Sequence, residues 1–468
     1  MSVLQEEGRT MILTTKEKIG FSLGDMAVNI VIIAMQLIIA YFYTDIFGLK
    51  PEHMGLLFLI VRFIDAFTDP VMGMITDKVR SKHGHYRPFL LWLAVPFGIA
   101  VYLTFMTPDF SYQGKVIWAY CTYIFITLMF TAVTIPYVSL IGVITDNPEE
   151  RLKANGYRFV LVKVAAFLVT VAVPLMAESI GGGDLALGYQ RAMGIMAVLG
   201  TISLLVCFST TKERIKPEVS NEPIKTQFKY LVKNDQWVLL CLALNFIMVG
   251  TVIRGSVTPY YAKYFLDGGD SLISPILTTG VVASLLAMIA TTWAVKFVCK
   301  IKLIVWSQIA TAVLAVLMYF FVDGSSLPLA FAFIFCLWFC ADMYLPIFWA
   351  SIAEAVDYGE VKTGKRVSGL SFGGICFFQK FGMGIAGWIL GMLLAYFGYQ
   401  ADVVQTAKSL LGINLMVTLI PGAICLVVAF IMSKYIITND YYNSIAKKIK
   451  RVEVNSEDEA GKRQTELA

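Results

Sequence analysis

Three ionisable residues, Arg62, Asp65 and Asp69, lie inside the apolar stretch from Met54 to Ile75. On a helix their side chains share one face, because residues three and four positions apart are neighbours. Two carboxylates at this spacing repel each other when both are ionised, so the group favours binding a proton or another cation. The pattern indicates the coupling-ion site of a transporter. The alternative is a structural ion pair between Arg62 and Asp65 that joins two helices.

The composition of the chain excludes an ordinary soluble protein. Its 468 residues are 57% hydrophobic and 15% charged, with a mean hydropathy of +0.70, whereas soluble chains carry about 25% charged residues. We predict an all-α polytopic membrane protein in which twelve apolar runs of roughly 20 residues cross the lipid bilayer as helices. The predicted spans are 22–46, 54–76, 88–107, 115–145, 156–180, 191–210, 236–266, 273–298, 303–322, 329–355, 367–397 and 410–435.

Lysine and arginine residues are concentrated in the even-numbered connections between the predicted spans, such as 78–87 and 212–233. Cytoplasmic loops carry this excess, so both termini are predicted to be cytoplasmic, in a cell inner membrane. The net charge of +5 follows from the same asymmetry and does not indicate nucleic-acid binding. We expect a monomer.

A polar stretch at 211–235 contains Pro217 and Pro223 and lacks an apolar run. It is predicted to be a cytoplasmic linker that separates two bundles of six helices. The predicted domains are therefore an N-terminal bundle at 1–210, a C-terminal bundle at 236–435 and a cytoplasmic tail at 436–468.

Further polar and aromatic residues lie within predicted spans. Lys380 is flanked by apolar residues and is expected to face the same cavity as the two aspartates. Asn29 either forms a hydrogen bond between helices or contacts a substrate. Tyr137 and Trp349 are candidate sugar contacts, because aromatic rings offer an apolar face and a polar edge. Interfacial or core packing is the alternative for Trp349.

Charged turns that follow two of the spans are candidate gating elements. Asp77 precedes a basic loop with Arg80 and Arg87, and ion pairs made by such residues can break and reform as transporter halves move. The alternative is a plain basic cytoplasmic loop. In the second half, Asp357 and Glu360 form an acidic turn after a proline-broken helix, which faintly repeats the first half.

Five motifs occur in an order that resembles a known family. They are Tyr-Thr-Asp-Ile-Phe-Gly-Leu at 43–49, Asp-Ala-Phe-Thr-Asp-Pro at 65–70, Arg-Ser-Lys-His-Gly-His-Tyr-Arg-Pro at 80–88, Ile-Pro-Tyr at 135–137 and Asp-Tyr-Gly-Glu at 357–360. Together they resemble the glycoside–pentoside–hexuronide:cation symporters, the melibiose-permease-like branch of the major facilitator superfamily. The resemblance covers roughly 15–435 and implies twelve helices in two six-helix bundles. It also implies sugar uptake coupled to Na⁺, H⁺ or Li⁺, with no cofactor beyond the coupling cation.

The resemblance also implies roles for individual residues. The paired aspartates of the family's cation site, where Na⁺ or H⁺ binds, fall on Asp65 and Asp69. The threonine that assists this site falls on Thr131, the lysine that faces it falls on Lys380, and the arginine that opens the fifth helix falls on Arg158.

The sequence departs from the melibiose-type pattern at several of these positions. Thr68 replaces the cation-site asparagine, and because it lacks an amide carbonyl, H⁺ is favoured over Na⁺. Asn29 and Thr134 stand at the positions we align with the two sugar-binding aspartates, and Val138 replaces a tryptophan. A galactoside substrate is therefore not indicated. An acidic sugar such as a hexuronide would suit Arg158 and Lys380, which complete the predicted site residues.

Two rival functions differ in class from sugar uptake. The same fold could act as an exporter or a lipid-type carrier, which a broad apolar cavity would favour over a polar one. An intramembrane enzyme with Asp65 and Asp69 as its acid–base pair is disfavoured, because catalytic carboxylates usually come from two facing segments. We therefore predict that the protein is not an enzyme.

Overall fold

The computed structural model describes residues 12–145, 148–214, 224–324, 326–365, 367–438, 440–442 and 444–445. Within these ranges the regular structure is helical, and the only β-type pairing is an isolated bridge between Ser81 and Gly84. Twelve long helices follow one another: α1 Thr15–Leu37, α2 Pro51–Lys78, α3 Arg87–Thr104, α4 Tyr112–Ile144, α5 Pro148–Phe167, α6 Leu185–Thr210, α7 Asp235–Tyr260, α8 Ile273–Ala294, α9 Lys300–Phe321, α10 Leu327–Asp342 with its continuation Leu345–Thr363, α11 Ser368–Tyr396, and α12 Ala407–Val417 with its continuation Leu419–Ser433. A short helix, Ile224–Lys233, precedes α7.

Eleven helical segments in the described part of the chain are long and apolar enough to cross a membrane, judged by length and composition. The segment that is missing from this set is α2, because Arg62, Asp65 and Asp69 lie in its middle. With 28 residues it is nevertheless long enough to span the bilayer. The prediction of an all-α polytopic membrane protein is confirmed.

Three of the helices are extended by π-helical turns that the hydrophobic pattern did not predict. Phe42–Ile46 follows α1, Leu168–Ala172 follows α5 and leads into the helix Val173–Ile180, and Tyr261–Phe265 follows α7. A π turn rotates the side chains beyond it relative to an unbroken α-helix, and such turns are frequent at functional sites.

The described residues form two compact units, each with its own packing. The first comprises residues of 1–220, 252–281 and 384–417, and the second comprises residues of 221–251, 282–383 and 418–468. In the first unit α1 packs against α5 and α6, and α3 packs against α4 and α6. In the second unit α9 packs against Leu419–Ser433 of α12 and against Leu327–Asp342 of α10. The predicted division into two bundles at 211–235 stays a prediction.

Polar contacts hold the helix termini together where α1 and α5 begin in the first unit, which we call the N-terminal end. Lys18 lies 2.6 Å from the Glu150 carboxylate, and Lys153 lies 2.9 Å from it. Hydrogen bonds from these two lysines lower the pKa of Glu150 to about 2. Glu213 accepts hydrogen bonds from the backbone N–H groups of His85, Tyr86 and Arg87 at 2.7–2.8 Å and so caps α3.

Candidate cation and sugar sites

The predicted acid pair lies on the middle turns of α2, and its two carboxylates have different partners. Arg62 Nη1 lies 2.8 Å from Oδ2 of Asp65, which is only 3% exposed. Thr131 of α4 donates a hydrogen bond from Oγ1 to Asp69 Oδ1 at 2.8 Å. The ion pair between Arg62 and Asp65, which the sequence analysis gave as an alternative, is therefore present. One helical turn further on, Asp69 is contacted by α4.

Two other residues predicted for the cation site have different surroundings. The hydroxyl of Thr68 is buried and has no hydrogen-bond partner in the described part of the chain. Its oxygen is therefore available as a ligand for a bound cation. Lys380 is partly buried on α11 and belongs to the second compact unit.

A buried aspartate that the sequence analysis did not select lies at the start of the first span. Asp25 is 3% exposed, and its Oδ2 is 2.6 Å from Nε of Arg158, in the middle of α5. A buried carboxylate is costly unless it is paired and hydrogen-bonded, which explains its contact with a guanidinium. The available signal was its place one helical turn before Asn29, on the same face.

The polar candidates of α1 and α4 differ in their hydrogen bonds. Asn29 donates from Nδ2 to the backbone oxygen of Asp25 at 2.8 Å, so this hydrogen bond lies within one helix and not between helices. The hydroxyl of Thr134 is buried without a hydrogen-bond partner among the described residues. These groups add hydrogen-bonding capacity to the first unit at the level of α1, α4 and α5.

The two aromatic candidates differ in exposure. Tyr137 is fully buried, stacks on Phe21 with a centroid distance of 4.9 Å, and donates its hydroxyl to the Phe21 carbonyl at 2.9 Å. These contacts position α1 against α4. Trp349, in the second unit, is 37% exposed and meets Phe348 edge-on. Sugar contact by either residue stays a prediction.

The predicted gating residues lie in separate local environments. The guanidinium of Arg87 donates to the Phe208 carbonyl at 2.7 Å and covers the Phe208 ring, all inside the first unit. Arg80 is exposed, and the side chain of Asp77 lies outside the described residues. In the second unit Asp357 accepts a hydrogen bond from Tyr442 at 2.7 Å, and Glu360 is partly buried.

These observations define the class of protein. Long apolar helices surround carboxylates and hydroxyls that can bind a cation and polar ligands, as in a helical membrane transporter. The fold agrees with solved transporters: the crystal structure of a D-xylose–proton symporter superimposes with a TM-score of 0.64 over 90% of this chain and 98% of that one, at 14% identity.

Sequence comparison then identifies the family. The MFS/sugar transport protein family matches residues 20–439, and the chain belongs to this family. It is 37% identical over 440 residues to the putative glycoside/cation symporter YagG of Escherichia coli, covering 93% of this chain and 95% of that one. It is 33% identical over 411 residues to the isoprimeverose transporter of Lactiplantibacillus pentosus, covering 86% and 85%.

The family assignment confirms the resemblance drawn from the five motifs and the major facilitator fold that it implied. It also confirms that the protein is a transporter and not an enzyme.

Proposed function

We propose that the protein is a symporter that takes up a glycoside or pentoside together with H⁺. The observation that carries this proposal is the pair of carboxylates, Asp65 and Asp69, which contact Arg62 and Thr131 in the middle of a membrane helix. The printed names of the relatives, a glycoside/cation symporter and an isoprimeverose transporter, support the same substrate class.

In this proposal Asp65 and Asp69 bind the coupling cation. A proton needs one carboxylate oxygen, whereas Na⁺ needs a shell of several oxygen ligands. Thr68 contributes a hydroxyl, which is a poorer ligand for a hard cation than a carbonyl. These residues therefore fit H⁺ better than Na⁺. Coupling to Na⁺ is the other outcome that the test below distinguishes. Binding the cation relieves the repulsion between the two carboxylates.

We assign sugar binding to the Asp25–Arg158 pair with Asn29 and Thr134. Carboxylate, guanidinium, amide and hydroxyl groups together offer the acceptors and donors that sugar hydroxyls require. Arg158 keeps a 28% exposed side chain while Asp25 is buried, so the arginine is the member of the pair that a ligand can reach. A sugar hydroxyl or carboxylate would share the guanidinium with Asp25.

We also propose that the N-terminal end of the first unit faces the cytoplasm and that the protein works as a monomer in a cell inner membrane. The basic residues Arg80, Lys82 and Arg87 lie at this end, and lysine and arginine are enriched in cytoplasmic loops. A protease-accessible tag at either terminus would test the orientation.

The test is sugar accumulation in proteoliposomes under an imposed H⁺ or Na⁺ gradient, with a panel of labelled glycosides, pentosides and hexuronides. We expect accumulation of one sugar class under the H⁺ gradient. Asp65→Asn and Asp69→Asn should each abolish accumulation, because the neutral amide cannot take up the cation, while sugar exchange continues. Asp109→Asn, in an exposed loop, is the matched control.

Two results would contradict the proposal. Accumulation that survives in both variants would remove Asp65 and Asp69 from the coupling site. Absence of accumulation for every sugar under either gradient would favour the exporter or the lipid-type carrier instead.

A further inference from the structure

A second buried carboxylate cluster lies at the end of α1 opposite its N-terminus. Asp45, in the π turn Phe42–Ile46, has a fully buried side chain. It accepts hydrogen bonds from the Thr44 hydroxyl at 2.7 Å, from the Tyr399 hydroxyl at 2.5 Å and from the Tyr264 hydroxyl. Three hydroxyl donors on one carboxylate offset part of the cost of burying its charge.

Lys263 completes this cluster and connects it to two further carboxylates. Its Nζ lies 3.7 Å from Asp45, 3.3 Å from Asp270 and 2.8 Å from Asp402. Tyr41 donates a hydrogen bond to Asp270 and accepts one from Lys263 at 3.1 Å. The ammonium group therefore neutralises part of the negative charge that the three aspartates bring together.

The residues of this cluster come from three segments that are far apart in the sequence. One segment follows α1, one follows α7 and one follows α11, and all three belong to the first compact unit. Tyrosine rings pack the same junction: Tyr260 meets Tyr399 edge-on at a centroid distance of 5.2 Å and meets Tyr41 at 5.7 Å. The contact between α1 and α7 continues along the helices, because Ser256 Oγ donates to the Gln36 carbonyl at 2.6 Å.

The energetic consequence follows from burial. If the segments after α7 and α11 moved away from α1, Asp45 would lose the Tyr264, Tyr399 and Lys263 contacts at the same time. A transporter that opens this end to a ligand must make that exchange, with water replacing the lost donors. The same three contacts therefore oppose opening, and a change at Asp45 would alter how readily this end opens.

We propose that Asp45 is a gating residue whose contacts with Lys263, Tyr264 and Tyr399 hold closed the end of the first unit that lies opposite its N-terminal end. This inference rests on the proposed function, in which the N-terminal end faces the cytoplasm and the opposite end faces outward. The motif at 43–49 contains Asp45 but does not indicate a gating role for it. Its three partners lie more than 200 residues further along the chain, so no local pattern connects them.

The test measures accessibility, so it does not depend on knowing the sugar. Ser256→Cys, introduced after the eight native cysteines are replaced, places a thiol of similar size beneath the cluster. A membrane-impermeant maleimide added outside cells will label it only when this end opens. Asp45→Asn and, separately, Tyr399→Phe should raise the labelling rate about tenfold, since each weakens hydrogen bonds to a charged group.

Tyr261→Phe is the matched control. Tyr261 lies in the same π turn as Tyr264 and is fully buried, but its hydroxyl has no hydrogen-bond partner in the described residues. Removing this hydroxyl should leave the labelling rate unchanged. Because Tyr399→Phe retains the ring and its packing, it keeps the test valid if Asp45→Asn does not fold.

Labelling of both gate variants at the wild-type rate would overturn the proposal. Faster labelling that occurs only in inverted vesicles would also overturn it, because the thiol would then be reached from the other side. Faster labelling from outside in a protein that accumulates no sugar would support the gate and contradict the proposed function, so the two failures are distinguishable.

Discussion

At the scale of single residues, Thr131 is the contact through which α4 acts on the acid pair of α2. Its hydroxyl donates to Asp69 at 2.8 Å from a buried position. Thr131→Val removes this hydrogen bond and keeps the shape of the side chain. Because this hydrogen bond stabilises the carboxylate that we propose binds the coupling cation, its loss should lower H⁺-driven uptake throughout its pH profile, measured in proteoliposomes.

The control for this prediction is one turn away on the same helix. Thr127 is also buried, but its hydroxyl donates to the Tyr123 carbonyl at 2.8 Å, inside α4. Thr127→Val should leave the pH profile unchanged. An unchanged profile in both variants would mean that the Thr131 hydrogen bond does not tune the cation site.

The acid pair of α2 could be selected from the sequence as a candidate cation site, because ionisable residues inside an apolar run usually have a functional role. Asp25 could not be selected in the same way, because it lies near the start of a predicted span. An acidic residue at that position is usually exposed to water and does not indicate a site. The burial of Asp25 depends on Arg158, which is contributed by another helix. Local sequence patterns cannot predict partners of this kind, which are far apart in the chain.

At the scale of elements, α2 and α11 approach each other through glycines within the first unit. A Cβ atom on Gly391 would lie 2.4 Å from the Pro51 carbonyl oxygen and 2.7 Å from the Gly55 Cα. These contacts are with backbone atoms, which cannot move aside as a flexible side chain would. The helices can therefore come this close only where both carry small residues.

Gly391→Ala should consequently destabilise this close approach and lower the melting temperature of the purified protein. Gly373→Ala, on the same helix, should raise it, because no atom lies within 4 Å of the added Cβ and alanine favours a helix by about 1 kcal/mol. Differential scanning fluorimetry in detergent compares the two variants. Equal shifts for both would contradict the close approach of α2 and α11.

The order and type of the elements could be predicted from hydrophobic runs, including α2, whose charges exclude it from a strict hydropathy count. The π turns at Phe42–Ile46 and Tyr261–Phe265 could not be predicted, because helix propensity does not distinguish them from an α-helix. These turns carry Asp45, Lys263 and Tyr264, which are residues of the proposed gate.

At the scale of the whole molecule, the described parts of twelve mostly apolar helices contain few buried charged groups, and these include candidates for binding the ion and the sugar. In the described part of the first unit, Asp25 lies on α1, Asp45 lies on the π turn that follows α1, and Asp65 and Asp69 lie on α2. A transporter couples ion and sugar when binding of one changes the free energy of the conformations that bind the other. The arrangement predicts this coupling within the first unit.

The most direct measurement of coupling is the ion movement that a sugar causes. Proteoliposomes without an imposed gradient, loaded with a pH-sensitive dye and clamped at zero potential with valinomycin and equal K⁺, would receive a pulse of the transported sugar from outside. We predict that the lumen acidifies with wild-type protein and does not acidify with Asp65→Asn or Asp69→Asn. Sugar uptake by the wild type without movement of H⁺ or Na⁺ would contradict symport.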